Sequence, residues 1–489
     1  MNDEHDDRQV LEDHGCCGRR EFLQAAGAAG GLAFLASAKA LKAEEAAAPQ
    51  PAKKTPRVLG AFIYRPTEQL AKQGYWSWPG SSFDPEGHQK RYTSKVARLS
   101  RDLGMEITLE PKPLAESSDV ARFIARVKQE KPDGLLLFMF KKWLNKHAER
   151  IVKETGLPTV ISIPLGGVLL GHILGWRRRG GTLLINAEQN FDAVADGMRM
   201  IRTARWMADA RLINLQGNKP KRGEMPSLGT EVRTLPLKRF YEAFKAVAKD
   251  DEKVKQLAEA YRSGAKEIVE PDRDDIRDAA RTYFAYKRIL EDHGGDGMMM
   301  DCLPGLKHPH QHVPPCMGYM SLHDEGIAAG CQSDLDATLT MMLGTHLLGV
   351  PGFQHNPSWN IAENCYFGAH CTSPSKMNGP DADPLPYILR SHNEAGWGCV
   401  PQILLPDGQP ATLAHYFPGA KPRMIVYSGE VVRCYPKLAG GCRTNVEMTV
   451  AGVNTPSEFK HAGHMILFLG RHAERLKGFC KLYGIEVLS

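Results

Sequence analysis

From residue 57 onward, the chain alternates short apolar runs with amphipathic segments. Four apolar runs predict strands at 57–64, 105–111, 134–140 and 159–164. Segment 117–130 lies between two of them and predicts a helix, since Val120, Phe123, Ile124 and Val127 recur at helical spacing. Apolar strands that alternate with helices are typical of a parallel sheet covered on both faces. The pattern therefore predicts an N-terminal α/β domain over residues 57–170.

The same alternation continues over residues 171–355 and predicts a second α/β domain. Its expected strands are at 182–186, 211–217 and 297–302, with a long helix around 190–209 and charged helices from 237 to 293. No G-x-G-x-x-G motif follows the first strand of the chain, so the usual dinucleotide-binding fold is not expected.

The pattern changes after about residue 380, where short β-prone segments are separated by Gly and Pro. Examples are the segments 423–432 and 444–453, and an amphipathic helix is expected at 471–484. We predict a site loop and a β-rich C-terminal domain over residues 356–489. The predicted fold class is α/β, with two parallel-sheet domains followed by this β-rich domain.

Residues 18–40 begin with Arg19 and Arg20 and continue as an Ala/Gly-rich apolar run with two A-x-A steps. The run is shorter than the roughly 20 residues that a spanning helix needs. It resembles a twin-arginine export signal, although an ordinary amphipathic helix stays open as an alternative. We predict a signal over 1–40, recognised by the twin-arginine translocase, and a low-complexity linker over 41–56. The mature protein is then expected outside the cytoplasm, periplasmic or otherwise extracytoplasmic, without stable membrane insertion.

Composition narrows the class of protein. The chain has 489 residues and a formal net charge of +6 that is spread along its length. The one dense basic cluster, Trp176-Arg177-Arg178-Arg179, is interpreted as a solvated face, with a phosphate contact as the alternative. We therefore expect no nucleic-acid partner. Of its 11 cysteines, those beyond the predicted signal are widely spaced and lack C-x-x-C pairs, which argues against a disulfide framework or a zinc ribbon.

Segment 329–357 contains candidate positions for metal binding and catalysis. It predicts a helix that opens on Ser333-Asp334-Leu335-Asp336, which has the form of a capping box, and that ends in a Pro/Gly-rich loop. This pattern gives Asp334 and Asp336 a structural role at the helix N-terminus. Two amides, Gln332 and Asn356, occupy the two ends of the segment, where a metal enzyme would need carboxylates.

Histidines are concentrated on both sides of this helix. The loop His308-Pro309-His310-Gln311-His312 could chelate a metal, but no partner motif fixes a geometry, and solvated or substrate-facing histidines are the alternative interpretation. His370 precedes Cys371, yet adjacent residues of a strand point to opposite faces. A Cys/His nucleophilic dyad is therefore not expected there.

Several motifs in this half of the chain carry a family resemblance. They are PPCMGYMSLHDEGIAAGCQSDLDATLTMMLG, PGFQHNP, AHCTSP, RSHN and HMILFLG. Together they resemble the L-fucose isomerase and L-arabinose isomerase family, in particular its exported fucose-isomerase-like branch. The resemblance implies two α/β domains, a C-terminal β-barrel-like domain, and a divalent cation, usually manganese, held by a Glu, an Asp and a His. It also implies that the two carboxylates shuttle the proton in aldose–ketose isomerisation.

Carried onto this chain, the Glu position falls on Gln332, the Asp position on Asn356 and the His position on His464. Only the histidine is retained. The resemblance thus implies that Gln332, Asn356 and His464 are metal positions, and that Gln332 and Asn356 are also catalytic positions. Amides bind hard cations weakly and cannot accept a proton near neutral pH. We therefore expect manganese to bind weakly or not at all. Glu325 is the first candidate to compensate in catalysis, ahead of Asp334 and His370.

Two functions from different classes stay open. The first is a sugar isomerase-like enzyme that converts an aldose to a ketose, a pentose or deoxyhexose, through an enediol, with an altered metal shell. The alternative is a non-catalytic sugar-binding relative that keeps the pocket. A third possibility is hydrolysis or lyase chemistry on a sugar acid by the His-rich loop. In each case the ligand is a small-molecule sugar, His310, His370 and His392 are the expected substrate-binding residues, and a homo-oligomer is expected.

Overall fold

The computed structural model describes residues 53–76, 78–187, 191–438 and 440–489. The predicted export signal at 1–40 and most of the linker at 41–56 lie outside the described residues, so both stay predictions. Among the described residues, no helix combines the length and apolarity that a membrane crossing requires.

A parallel five-stranded sheet forms the first layer of the fold, in the order β2-β1-β3-β4-β5. Its strands are β1 (Arg57–Ile63), β2 (Glu106–Leu109), β3 (Gly134–Met139), β4 (Thr159–Ile163) and β5 (Thr182–Asn186). The helices of this region are α1 (Thr67–Gln73), α2 (Pro85–Leu103), α3 (Ser117–Glu130), α4 (Asn145–Thr155), α5 (Leu170–Arg178) and α6 (Phe191–Asp209).

The buried residues of helix α3 are those that the helical spacing of its apolar residues predicts. Val120, Phe123, Ile124 and Val127 are the residues that it buries. Strand β5 differs from the expectation, because it pairs with β4 and completes the first sheet instead of opening the second. A strand's own apolar pattern does not specify its partner, and here the partner decides the sheet.

A second sheet has the order β11-β10-β6-β8-β7. It consists of β6 (Arg211–Leu215), β7 (Lys221–Glu224), β8 (Glu231–Leu235), β10 (Gly297–Met300) and β11 (Ala328–Cys331). All its pairings are parallel except that of β7 with β8. Its helices are α7 (Lys238–Ala246), α8 (Glu252–Gly264), α9 (Arg273–His293), α10 (Leu303–Leu306), α11 (Cys316–Asp324) and α12 (Leu335–Leu348). The charged helices predicted from 237 to 293 are confirmed.

The C-terminal region contains a closed antiparallel barrel of six strands. Its order is β16-β19-β12-β13-β18-β17, closed by the pairing of β16 with β17, and β20 joins β17 in parallel. The strands are β12 (Phe353–Asn360), β13 (Cys365–His370), β16 (Pro410–Phe417), β17 (Arg423–Arg433), β18 (Thr444–Val450), β19 (Met465–Leu469) and β20 (Glu486–Leu488). A small sheet joins β9 (Glu267–Ile268), β14 (Tyr387–Arg390) and β15 (Val400–Ile403). The predicted fold class, α/β with a β-rich barrel at the C-terminus, is confirmed.

Helix α12 joins the second sheet to the barrel. Its buried residues share one apolar cluster with Ile466 and Phe468, which lie on the outer face of β19. Gly344 makes this close approach possible, because a Cβ atom at that position would lie 2.1 Å from Cζ of Phe468. The contact packs the C-terminal half of α12 against the end of β19. The last helix, α13 (Ala473–Tyr483), packs back onto β5 and α6.

Candidate functional site

The turn between β11 and α12 has an unusual backbone. Gln332 and Ser333 both have positive φ angles, of 57° and 50°. Ser333 is held by the ends of two other strands, since its N–H donates to the Met300 carbonyl over 3.1 Å and its hydroxyl donates to Asn214 Oδ1 over 2.9 Å. Non-glycine residues in this region cost roughly 1–3 kcal/mol each and are concentrated at functional sites. The strain marks the carboxyl edge of the sheet, where open α/β sheets bind ligands.

Asp334 is the N-cap of α12 and has two partners. Its Oδ1 accepts the Ala337 N–H over 3.0 Å, and its Oδ2 lies 2.6 Å from Nδ1 of His464. The cap is therefore Asp334 and not Ser333, which corrects the capping-box assignment. The side chains of Asp334 and His464 are only 22% and 7% exposed. Asp334 thus combines its structural role with an ion-pair geometry that the helix pattern did not indicate.

His464 is oriented by this contact. Nδ1–H can donate to Asp334 whether the ring is charged or neutral, and only the neutral form carries a lone pair on Nε2. Nε2 is buried and has no hydrogen-bond partner in the described part of the chain. Burial alone would raise the pKa of Asp334, but the hydrogen bond and the charge of His464 outweigh burial and lower it. The carboxylate therefore stays ionised and holds the ring in place.

His370 lies beside this pair, with its ring centroid 5.4 Å from that of His464. Burial and then the neighbouring charge of His464 hold the pKa of His370 well below its usual value, so the ring is neutral. Its Nδ1 lies 3.1 Å from the Thr372 hydroxyl, and its Nε2 is buried without a partner among the described residues. If Thr372 donates to Nδ1, Nε2 carries the proton and is a hydrogen-bond donor.

Asn356 reaches the same junction through strand register. The antiparallel pairing of β12 with β19 joins Gln354 to Ile466 and His355 to Met465, and continuing it places His464 opposite Asn356. Side chains alternate along a strand, so Asn356 shares the face of Gln354. Gln354 is buried and binds the backbone of Cys331, with Oε1 2.9 Å from the N–H and Nε2 3.2 Å from the carbonyl. Gln332 follows Cys331 directly in the chain, and its place beside Asn356 and His464 stays a prediction.

The other predicted binding histidines, His310 and His392, both contact Trp397. His310 hydrogen-bonds the Leu306 carbonyl over 2.8 Å, and its ring centroid lies 4.3 Å from that of Trp397, with the two rings tilted by 41°. The backbone N–H of His392 donates to the Trp397 carbonyl over 3.1 Å. The charge of His392 also contributes to the lowered pKa of His370. His392 is thus an electrostatic neighbour of His370.

Glu325 is placed elsewhere. Its carboxylate is hydrogen-bonded to the Tyr283 hydroxyl and forms an ion pair with Lys287 Nζ at 3.0 Å, both on α9. These contacts give it a bracing role, and they engage both of its oxygens. It does not join the cluster around His464, because its two contacts hold it against α9.

A manganese ion does not fit the donors that this site presents. Both oxygens of Asp334 are engaged, the ring nitrogens without a partner are Nε2 of His464 and of His370, and Gln332 and Asn356 offer only neutral amide oxygens, so this donor set supplies no free carboxylate. Hard divalent cations require anionic oxygen ligands. In the residues that the structure describes, no group of three or more His, Cys, Asp and Glu side chains has a metal-binding arrangement. Weak or absent manganese binding stays a prediction.

Sequence reasoning missed the Asp334–His464 pair. The capping pattern already explained Asp334, and the 130 residues between the partners leave no local spacing to detect. The sequence offered one signal of unusual electrostatics, the second acidic residue at the helix start, Asp336. Burial and the charge of Asp334 raise the pKa of Asp336 to about 7, so the two carboxylates have opposite shifts. Such divergence is common at sites of proton transfer.

Comparisons with known proteins give limited support for a sugar-isomerase likeness. No protein-family model matches the chain. A segment is 35% identical over 97 residues to the sulfoquinovose isomerase of Clostridium sp. (strain MSTE9), which covers 19% of this chain and 22% of that protein. Another segment is 28% identical over 196 residues to a negative regulator of mitosis of Emericella nidulans, which covers 33% of this chain and 9% of that protein. The first match favours a sugar isomerase in general and is not specific to fucose isomerase.

Proposed function

We propose that the protein interconverts an aldose and a ketose by proton transfer through His464, held in place by Asp334. The observation that carries this proposal is the 2.6 Å contact between Asp334 Oδ2 and His464 Nδ1, which leaves Nε2 of the ring without a partner among the described residues. The likeness to a sulfoquinovose isomerase supports a sugar as the substrate. A pentose or a deoxyhexose, and sulfoquinovose itself, are the sugars to consider.

The proton transfer conserves atoms and electrons. Nε2 of His464 takes the proton from the carbon next to the carbonyl, and the electron pair of that C–H bond forms the C=C bond of an enediol. The carbonyl oxygen gains a proton while the hydroxyl oxygen on the neighbouring carbon loses one and becomes the new carbonyl, and His464 returns its proton to the former carbonyl carbon. The product is an isomer of the substrate, so no oxidant is needed. Such acid–base participation typically contributes about 10²–10⁴-fold in rate.

The neighbouring side chains have supporting roles in this proposal. Nε2–H of neutral His370 polarises the carbonyl oxygen, in the tautomer that Thr372 favours. Gln332 and Asn356 each offer a donor and an acceptor, which suits the hydroxyl groups of a sugar. The amides thus bind substrate without taking part in the proton transfer. Glu325 is given no part in the reaction, because its oxygens are engaged on α9.

A second candidate function is sugar binding without turnover. The specific observation in its favour is that Nε2 of both His464 and His370 is buried, so a substrate would have to displace neighbouring groups to reach them. The His-rich loop gives no comparable support for hydrolysis, because burial lowers the pKa of His312 to about 4 and Phe240 and Tyr241 enclose its ring.

Binding and turnover of a sugar panel separate these candidates. The panel contains L-fucose, L-arabinose and sulfoquinovose, and each is assayed with chelator present for binding heat and for ketose formation. His464→Gln removes the base but can still donate to Asp334, and His461→Gln changes an exposed histidine three residues earlier. We expect turnover in the unmodified protein and in His461→Gln, and none in His464→Gln. Binding without turnover by the unmodified protein would establish the second candidate instead.

A further inference from the structure

A cleft lies at the far end of α12 from Asp334. Its volume is about 260 Å³, and its lining includes Arg202 and Trp206 of α6, Thr345 and His346 of α12, and Asp296. Helix α12 has 14 residues and is therefore about 21 Å long. The cleft is thus separate from the site around His464.

Two buried polar atoms of the cleft lack partners. Arg202 Nε and Thr345 Oγ1 are both inaccessible to solvent and make no hydrogen bond with any described residue. A buried donor left unsatisfied costs roughly 1–3 kcal/mol, and more when it is charged. The two atoms come from different helices, yet their side chains line the same cleft. Each such group in a native structure calls for an explanation, and an absent ligand supplies one.

Arg202 differs from the neighbouring arginines of α6. Arg199 pairs with Asp196 at 2.8 Å, and the Arg205 guanidinium is hydrogen-bonded to Asp209. In the described chain, Arg202 has no carboxylate within ion-pair distance. Burial and then the charge of Arg199 lower its pKa. Its environment therefore disfavours the positive charge, and a bound anion would compensate it.

The other charges around the cleft leave it positive. The carboxylate of Asp296 is balanced by an ion pair with Lys53 and accepts the Arg211 N–H over 2.9 Å. The ammonium of Lys53 also lies 4.7 Å from the Trp206 ring centroid. His346 stacks on Trp206, and burial together with the charges of Arg202 and Lys53 lowers its pKa to about 3. With Asp296 neutralised and His346 uncharged, the guanidinium of Arg202 is left uncompensated.

We propose that this cleft binds a compact phosphate ligand, either inorganic phosphate or the phosphate group of a sugar phosphate. The guanidinium of Arg202 donates to the phosphate oxygens through its terminal nitrogens, and rotation of the Thr345 side chain brings its buried hydroxyl to the phosphate. Arginine forms strong, charge-assisted hydrogen bonds with phosphate, which fits a donor that is already partly buried. The volume admits a phosphate and a single sugar ring. This site is independent of the proposed isomerisation, so either proposal can fail without the other.

The test uses the full chain and compares two adjacent arginines. Inorganic phosphate, glucose 6-phosphate and glucose are titrated by calorimetry, and thermal unfolding is recorded at constant ionic strength with chloride as the reference anion. We expect phosphate to raise the melting temperature by at least about 2 °C through preferential binding to the folded state. Arg202→Gln should weaken phosphate binding at least tenfold, Thr345→Val should weaken it several-fold, and Arg199→Gln should leave it unchanged.

Three results would overturn the proposal. One is the absence of any phosphate-specific stabilisation in the unmodified protein. Another is equal binding by Arg202→Gln and Arg199→Gln. The third is a change in molecular mass by light scattering in Arg202→Gln without any phosphate response, which would show that Arg202 pairs with a second copy of the chain. Should Arg202→Gln fail to fold, Arg202→Lys keeps the charge and removes the forked donor geometry, and it should also bind phosphate more weakly. Glucose 6-phosphate binding more tightly than inorganic phosphate would identify the sugar phosphate as the ligand.

Discussion

Asp334 Oδ2 and His464 Nδ1 lie 2.6 Å apart, although 130 residues separate them in the sequence. The contact joins the start of α12 to the start of β19, and hence the second sheet to the barrel. It also gives a largely buried imidazole a fixed orientation. The stability of the fold and the proposed chemistry therefore depend on the same hydrogen bond.

Asp334→Asn tests that hydrogen bond. Asparagine caps a helix about as well as aspartate, so the change removes the charge while keeping the cap. Hydrogen bonds to charged groups contribute about 1.5–3 kcal/mol, and we expect a loss of that size in the free energy of unfolding at pH 7. Asp334 has a lowered pKa in the folded state, so its stabilisation is present above the unfolded pKa and is lost as pH falls through the folded pKa. The variant should therefore show a flatter acid limb below about pH 4.

The matched control is Asp84→Asn, at the N-cap of α2. Asp84 accepts the Gly87 N–H over 2.8 Å and is exposed. We expect this change to cost no more than about 0.5 kcal/mol. Equal losses in the two variants, measured by denaturant unfolding, would show that the Asp334 charge contributes nothing beyond the cap.

Asp336→Asn should stabilise the protein near neutral pH. Burial and the charge of Asp334 raise the pKa of Asp336 to about 7 in the folded state, whereas an unfolded Asp titrates near about 3.9. The folded state therefore binds more protons between these values, and stability decreases as pH rises from about 4 to about 7. The asparagine variant should lack this decrease and be more stable at pH 7 by about 1–3 kcal/mol. An unchanged slope between pH 4 and 7 would contradict the shift.

Gly344→Ala should disturb the contact between α12 and β19. The added Cβ would lie 2.1 Å from Cζ of Phe468, so the ring or the helix must move. Overpacking of this kind typically costs about 1–3 kcal/mol. The control is Gly175→Ala on α5, where nothing lies within 4 Å of the added atom and alanine should stabilise the helix slightly. Melting temperatures of the two variants that move in the same direction would contradict this packing.

Gln332→Glu combined with Asn356→Asp should increase manganese affinity. The two changes place anionic oxygens at the junction where we predict that these residues lie with His464. Hard cations bind more tightly as the number of charged oxygen ligands increases, and we expect a gain of at least about tenfold by calorimetry. The control is Asn378→Asp combined with Gln409→Glu, which makes the same charge change at exposed positions. Equal affinities in the two double variants would show that Gln332 and Asn356 do not share a site.

The sequence predicts elements better than it predicts their partners. The buried positions of α3 follow from helical periodicity alone, because one face of that helix covers the sheet. Strand β5 carries a pattern that fits either sheet, and only its pairing with β4 places it in the first. The hairpin of β7 and β8 lacks an apolar run at β7, whose residues are mostly exposed, so periodicity could not detect it.

For the candidate site as well, the sequence predicts individual residues better than it predicts their partners. Motifs could indicate Gln332, Asn356 and His464, because each lies in a recognisable run of residues. Local patterns could not indicate that Asp334 binds His464, since a helix cap already accounts for the aspartate. A catalytic role for Glu325 stays a prediction from its motif, while Tyr283 and Lys287 engage its carboxylate in the structure.

Hydrogen exchange between substrate and solvent tests the central claim most directly. A sugar that binds in the panel is incubated with the protein in D₂O with chelator present, and proton NMR follows deuterium at the carbons next to the carbonyl. We predict deuterium incorporation by the unmodified protein and by His461→Gln, and none by His464→Gln, because only His464 offers an imidazole oriented by Asp334. The absence of exchange in the unmodified protein, or exchange that requires manganese and persists in His464→Gln, would contradict proton transfer through His464.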